Sequence, residues 1–194
     1  INENIKLKTE KTFNEDYTKG TIHVEVEYEG IIESIHINNK EIKVPEKTNG
    51  VYIIEDEVTE NGMYIVIAKD ANGDYQITNV KVSEIIGNMK IYDEEDMELF
   101  RERVNEGKVF ASTKVEVMKD ITLTKEWEPI GTEERQFLGE FEGNGHSIKG
   151  LKIEGKADNQ GLFSYNSGVI KNLEIEGTVN SGFQNTGMLV GTNS

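Results

Sequence analysis

The chain has 194 residues, 36 acidic against 21 basic side chains, a formal net charge of -15 at pH 7 and no cysteine. A surface that acidic repels phosphate backbones and anionic lipid, which argues against nucleic-acid binding; without thiols there is no disulfide framework, thiolate metal site or thiol nucleophile. No apolar run is long enough for a signal peptide or a membrane span, so no membrane insertion is expected within the chain, and the length suits two small domains.

From Ile5 to about Ile86 short alternating runs are separated by turn signals. Ile22, Val24, Val26 and Tyr28 alternate with His23, Glu25, Glu27 and Glu29, the period of a half-buried strand with a charged outer face. Further strands are predicted around Ile31 to Ile37, Ile42 to Val44, Val51 to Ile54, Met63 to Ala68 and Tyr75 to Val82. The dipeptides Asn49-Gly50, Asn61-Gly62 and Asn72-Gly73 accept the positive φ angles of tight turns. About seven short strands with regular turns and no helix predict a β-sandwich. Within it, Asn61-Gly62-Met63-Tyr64-Ile65-Val66-Ile67-Ala68-Lys69-Asp70-Ala71-Asn72-Gly73-Asp74 resembles the F–G hairpin of bacterial immunoglobulin-like domains. Those read G-x-Y-x-V-x-A-x-D-x-x-G-N, and the chain departs from them at Asp74, where Asn is commoner. The resemblance implies an immunoglobulin-like β-sandwich over residues 1–87, with Tyr64 in the place of a corner tyrosine.

At Met89-Lys90-Ile91-Tyr92 the pattern changes. Asp93-Glu94-Glu95-Asp96 precedes Met97, Phe100 and Val104 at helical spacing, and Gly107 supplies a stop. Acids in a first turn also complement the helix dipole. An amphipathic helix of about three or four turns is expected, placed to cover the open end of a stacked structure behind it.

Behind the helix come Val115-Glu116-Val117 and Ile121-Thr122-Leu123, short strands around Lys119-Asp120, then Trp127-Glu128-Pro129-Ile130-Gly131. Phe137-Leu138-Gly139-Glu140-Phe141-Glu142-Gly143-Asn144-Gly145-His146-Ser147-Ile148 follows. The stretch Ile148-Lys149-Gly150-Leu151-Lys152-Ile153-Glu154-Gly155 then returns as Ile170-Lys171-Asn172-Leu173-Glu174-Ile175-Glu176-Gly177, identical at six of eight positions. An offset of about two dozen residues belongs to stacked repeats. Gly161-Leu162-Phe163 is likewise answered by Gly187-Met188-Leu189-Val190-Gly191. The ordered phrases D-I-x-L, W-x-P-I-G, F-x-G-x-F-x-G-N-G-H-x-I, L-x-I, G-L-F and G-x-L-V-G resemble the GLUG-repeat β-helix region of bacterial surface proteins and of immunoglobulin-A-specific metallopeptidases. That resemblance runs from about Met89 to the end. It implies that residues 88–194 hold a capping helix and the first coils of a parallel β-helix, so the fold class expected for the whole chain is all-β. In such a stack Ile148, Leu151 and Ile153 are expected to lie on Ile170, Leu173 and Ile175, with Ile148 and Ile170 in one sheet. Asn-rich corners are expected to bond from one coil to the next.

His146, in Gly143-Asn144-Gly145-His146, has no acid at triad spacing and no second His at metal-ligand spacing, so a structural turn histidine is favoured. His23 and His36 lie on predicted strands and read as neither ligands nor bases. Glu140 and Glu142 flank Phe141 in the manner of a glycosidase carboxylate pair, against the plainer reading of a solvated strand face. Asp70, Asn72 and Asp74 offer oxygens to Ca²⁺, but the EF-hand spacing is not met and no distal Glu closes the site. No P-loop, dinucleotide fingerprint, H-E-x-x-H or G-x-S-x-G occurs. No catalytic residue, metal ligand or cofactor is assigned, and no ligand-binding residue is singled out.

The expectation is a non-catalytic extracellular segment of a bacterial cell-surface or secreted protein, acting in spacing, display and adhesin-like contact with host protein or glycan. The alternative is an accessory region of a secreted metallopeptidase or polysaccharide-degrading enzyme whose catalytic residues lie outside the chain. Ile1 in place of Met, and Thr192-Asn193-Ser194 directly after a repeat element, read as cuts in a longer protein. The expected state is a monomer, with an open strand edge able to pair two copies.

Overall fold

The computed structural model describes residues 1–15, 17–108, 110–155 and 157–194. Among them sixteen strands and one helix make a mostly β protein, which divides into two units, Ile1–Ile85 and Ile86–Ser194.

In the first unit β1 (Lys6–Phe13), β2 (Gly20–Glu27), β3 (Ile32–Ile37), β4 (Lys40–Ile42), β5 (Val51–Val58), β6 (Gly62–Asp70) and β7 (Tyr75–Val82) pair antiparallel. They form two sheets, ordered β1-β2-β5 and β4-β3-β6-β7. Alternation decides which side each residue takes. Ile22, Val24 and Val26 of β2 and Ile54 and Val58 of β5 join Ile35, Ile37, Val66, Ala68 and Val82 of the other sheet in one core. Each buried aliphatic contributes about 1.5–3 kcal/mol of transfer free energy.

The three Asn-Gly dipeptides have three different fates. Asn49 and Gly50, at φ 51 and 83, make a two-residue hairpin in which Thr48 and Val51 exchange backbone hydrogen bonds of 2.8 and 3.1 Å. Asn61, by contrast, is not a tight turn. It is buried, outside the left-handed region, and its amide donates to the Ile85 carbonyl at 2.7 Å while accepting from the Ile85 N–H at 2.9 Å. At the third site Gly73 turns at φ 89 and Asp70 organises the loop. The Tyr64 hydroxyl donates to the Glu60 carbonyl at 2.7 Å.

The second unit comprises β8 (Met89–Ile91), α1 (Glu94–Asn105), β9 (Lys114–Val117), β10 (Ile121–Thr122), β11 (Glu140–Glu142), β12 (Ser147–Ile153), β13 (Phe163–Asn166), β14 (Val169–Lys171), β15 (Glu174–Val179) and β16 (Val190–Asn193). All its strand pairs are parallel, in sheets ordered β14-β11-β9-β8, β10-β12-β15 and β13-β16. Successive passes of the chain add a strand to each sheet in turn, and partners lie 26 to 29 residues apart: Met89 beside Val115, Ile121 beside Ile148, Phe163 beside Val190, Glu140 beside Val169.

The expected partners of the eight-residue self-match are therefore wrong. Ile148 lies beside Ile175, Leu151 beside Gly177 and Ile153 beside Val179, whereas Ile170 lies beside Phe141 in a different sheet. What the match repeats is local conformation. Its third position is left-handed in both copies, Gly150 at φ 72 and Asn172 at φ 53. In the first copy that kink is a bulge inside β12, and in the second it is the corner between β14 and β15. The other echo is in vertical register: the Gly187 N–H donates to Gln160, Leu162 to Met188 and Phe163 to Leu189 across neighbouring passes. Gly177 is required where it stands, since a Cβ there would sit 2.1 Å from the Leu151 carbonyl oxygen.

Helix α1 begins where the sequence places it. Asp93 accepts from the Asp96 N–H at 3.1 Å and Asp96 reaches back to the Tyr92 N–H at 2.8 Å, a reciprocal cap. Gly107, at φ 84, ends it. Met97, Phe100 and Val104 are buried in the core of this unit. The Phe100 ring lies 5.2–6.2 Å from those of Phe110, Phe137, Phe141 and Phe163, the edge and tilted contacts aromatic rings prefer. Both helix ends are tied to the following pass: the Glu94 carboxylate accepts from Thr124 and Lys125, and Asn105 bonds Pro129 and Gly131. Among the described residues no helix is long and apolar enough to cross a membrane.

Candidate functional site

Parallel stacking makes neighbours of residues one pass apart, and this sets the surface chemistry of the second unit. Because Ile121 lies beside Ile148, Asp120 comes to the corner that His146 and Ser147 occupy. Its carboxylate accepts from the Ser147 N–H at 3.0 Å and lies 3.3 Å from His146 Nδ1. His146, with no acid at triad spacing along the sequence, thus has an acidic partner from one pass back. The Ser147 amide, and after it the His146 ring, hold the Asp120 carboxyl below the usual carboxylate range. Imidazole and serine converge on one carboxylate instead of lining up as a relay, so the group reads as an anchor for the corner.

His23 sits between Glu25 and Glu55, at 3.5 and 3.4 Å, on the outer face of its sheet. His36 faces Ile67 on one side and Glu41 on the other.

Glu140 and Glu142 do flank a buried Phe141, but they are not equivalent. Glu140 is half-buried and pairs with Lys171 at 3.0 Å. Glu142 is 6 % exposed, so the reading of a solvated strand face fails for it. It accepts from the Asn144 N–H at 2.8 Å and from the Asn172 amide at 3.0 and 3.2 Å, with Lys171 at 3.6 Å. The Asn144 amide first, and Asn172 next, hold its carboxyl below the usual range. A glycosidase proton donor needs its carboxyl shifted the other way. Glu142 instead locks the Asn172 corner one pass on, while Asn144 donates to Val117 one pass back. Asn166 with Asn193, and Asn185 with Asn159, bond between passes in the same fashion.

Asp70 is 2 % exposed, and its oxygens are taken. One accepts from the Asn72 and Asp74 N–H groups at 2.9 and 3.0 Å, the other from the Tyr28 hydroxyl at 2.9 Å and the Asn2 amide at 3.1 Å. Burial pushes its pKa up, but these bonds, led by Tyr28, outweigh that and leave it lowered. A carboxylate with four donors around it has no lone pair directed at a cation. Among the described residues no cluster of three or more His, Asp or Glu could hold a metal ion.

Sequence reading missed Asp120, Asn172, Asn2 and Tyr28 as partners. The first two lie 26 and 30 residues from theirs, and a 26–27-residue offset carried along the chain brings Asp120 to His146; the last two lie outside the strands, 68 and 42 residues from Asp70, and leave no signal in the sequence. Comparison with protein-family models, with curated proteins and with solved structures finds no match.

Proposed function

We propose that the chain is a non-catalytic extracellular segment of a bacterial cell-surface or secreted protein, acting as a spacer and display element with adhesive contact to host protein or glycan. In this reading the first unit is an immunoglobulin-like sandwich and the second a helix-capped parallel β-helix. The three-plus-four antiparallel sheets around one core and the Tyr64–Glu60 bond support the first part. The second part rests on the three parallel sheets that gain strands in turn at 26 to 29 residues per pass. It rests on that observed register and not on Ile148 over Ile170.

The observation that carries the non-catalytic reading is the state of the candidate acids. Asp70 and Glu142, both buried, and the exposed Asp120 are each held below the usual carboxylate range by the groups that donate to them, which makes them fasteners of corners and turns. A stack so fastened suits bearing and spacing, because each pass supports only its neighbours and the faces it presents are long. The test is an array of matrix proteins and glycans probed with the purified chain at 1–500 µM, an ordinary range for weak contacts (about -4 to -8 kcal/mol). Saturable binding that survives 150 mM salt supports adhesion. A blank array removes adhesion and leaves spacing alone. Location is tested separately, by protease accessibility of the parent protein on intact cells; protection until lysis would refute an extracellular site.

A further inference from the structure

The outer face of the sheet β4-β3-β6-β7 carries a pattern that neither spacing nor display uses. The positions of β6 that turn from the core are Met63, Ile65, Ile67 and Lys69, and those of β7 are Tyr75, Ile77, Asn79 and Lys81. Met63, Ile65, Tyr75 and Ile77 are 45, 41, 40 and 42 % exposed, and Ile67 stands directly opposite Ile77. Not one of these eight positions is acidic, in a chain with 36 acids. Along β6 and β7 this stripe holds no acid, while on the same face Glu41 stands beyond His36; an apolar stripe of this kind marks a contact.

The cross-strand register states what fits it. Four rows run across the two strands: Met63 with Lys81, Ile65 with Asn79, Ile67 with Ile77, and Lys69 with Tyr75. A two-fold axis perpendicular to the strands exchanges the first row with the fourth and the second with the third. On β6 this sets Lys69 of one copy over Met63 of the other and Ile65 over Ile67. On β7 it sets Lys81 over Tyr75 and Asn79 over Ile77. Each lysine meets an apolar stem or an aromatic ring, arrangements that stabilise a cation; no lysine meets a lysine. We infer that this face is a self-complementary docking surface for a second copy of the chain, packed sheet to sheet about that axis. Two strands of nine and eight residues give a footprint of roughly 10 by 30 Å, below the ~800 Å² per partner of a standard interface. The dimer is therefore weak and reversible, and forms where copies are crowded together.

Sedimentation velocity of the full chain from 5 µM to 1 mM tests this. The expected result is a monomer–dimer equilibrium. Ile65→Glu, at an exposed position, weakens it at least tenfold and leaves the circular-dichroism melt in place. Lys81→Ala and Tyr75→Ala each weaken it, and the double variant loses no more than the worse single, the mark of two side chains that meet across the contact. Leu189→Glu, on the second unit, leaves it unchanged. A wild-type monomer at 1 mM, species beyond the dimer, additive losses in the cycle, or loss through Leu189→Glu but not Ile65→Glu would each overturn the inference.

Discussion

Phe100 is the residue through which helix α1 packs most closely into the core of the second unit. It is fully buried and its ring touches four others at 5.2–6.2 Å. Truncation of a buried Phe to Ala costs about 3–5 kcal/mol. The four ring contacts, each worth about 0.5–1.5 kcal/mol beyond area burial, place Phe100→Ala in the upper part of that range, though they do not add independently. For a unit of about 110 residues, 1 kcal/mol lowers Tm by about 4–5 °C, so a loss of about 4–5 kcal/mol should lower the midpoint by about 16–25 °C. Trp127 is the only tryptophan of the chain and is buried in the second unit, with Arg101 over its ring; its fluorescence therefore reports this unit alone. Phe183, 51 % exposed, is the matched control, and Phe183→Ala should stay within about 0.5 kcal/mol. If Phe100→Ala costs no more than Phe183→Ala, the helix does not hold the core of the second unit together.

Three further outcomes are expected. Gly177→Val must push against the Leu151 backbone and should cost about 1–3 kcal/mol by the same fluorescence, whereas Gly182→Ala, with nothing within 4 Å, should be near neutral; equal effects would contradict the close approach of β12 and β15. Asp70 has a folded pKa below its unfolded value, so its contribution is fully present above about pH 4 and is lost as pH falls through the folded value. Asp70→Asn should accordingly flatten the decline in the first unit's melting temperature between pH 5 and 2, and parallel curves for the two proteins would reject this. Glu142→Gln should lower the midpoint of the second unit while leaving any polysaccharide hydrolysis at the wild-type background; hydrolysis that disappears with Glu142 would reinstate a catalytic role.

The parts legible in the sequence are those that local chemistry decides. Ile22, Val24 and Val26 alternate because the pleat does, and Asp93, Asp96 and Gly107 mark a helix because its ends leave backbone groups that these residues satisfy. Vertical register is set differently, by which edges meet once the corners have used up their lengths. The two copies of the eight-residue match share a left-handed third position, but one copy spends it inside a strand and the other at a corner, so their identity does not predict who lies beside whom. The three Asn-Gly dipeptides make the same point: Asn49 turns, whereas Asn61 spends its amide on Ile85, 24 residues away. Asp120, 26 residues before His146, meets it for the same reason through vertical register and not through local sequence.

Successive strands stay paired although the chain between them varies from 26 to 29 residues. Most of the slack is taken up in the connecting loops, and one residue of it in the bulge inside β12, where the offset to β15 changes from 27 to 26. A residue added beside Gly182, an exposed position between β15 and β16 with nothing within 4 Å, changes loop length and nothing inside, while one added within β12 would turn Leu151 and Ile153 outward. Such a chain tolerates insertions and deletions at its bends, and its outline can drift over generations while its interior is held fixed.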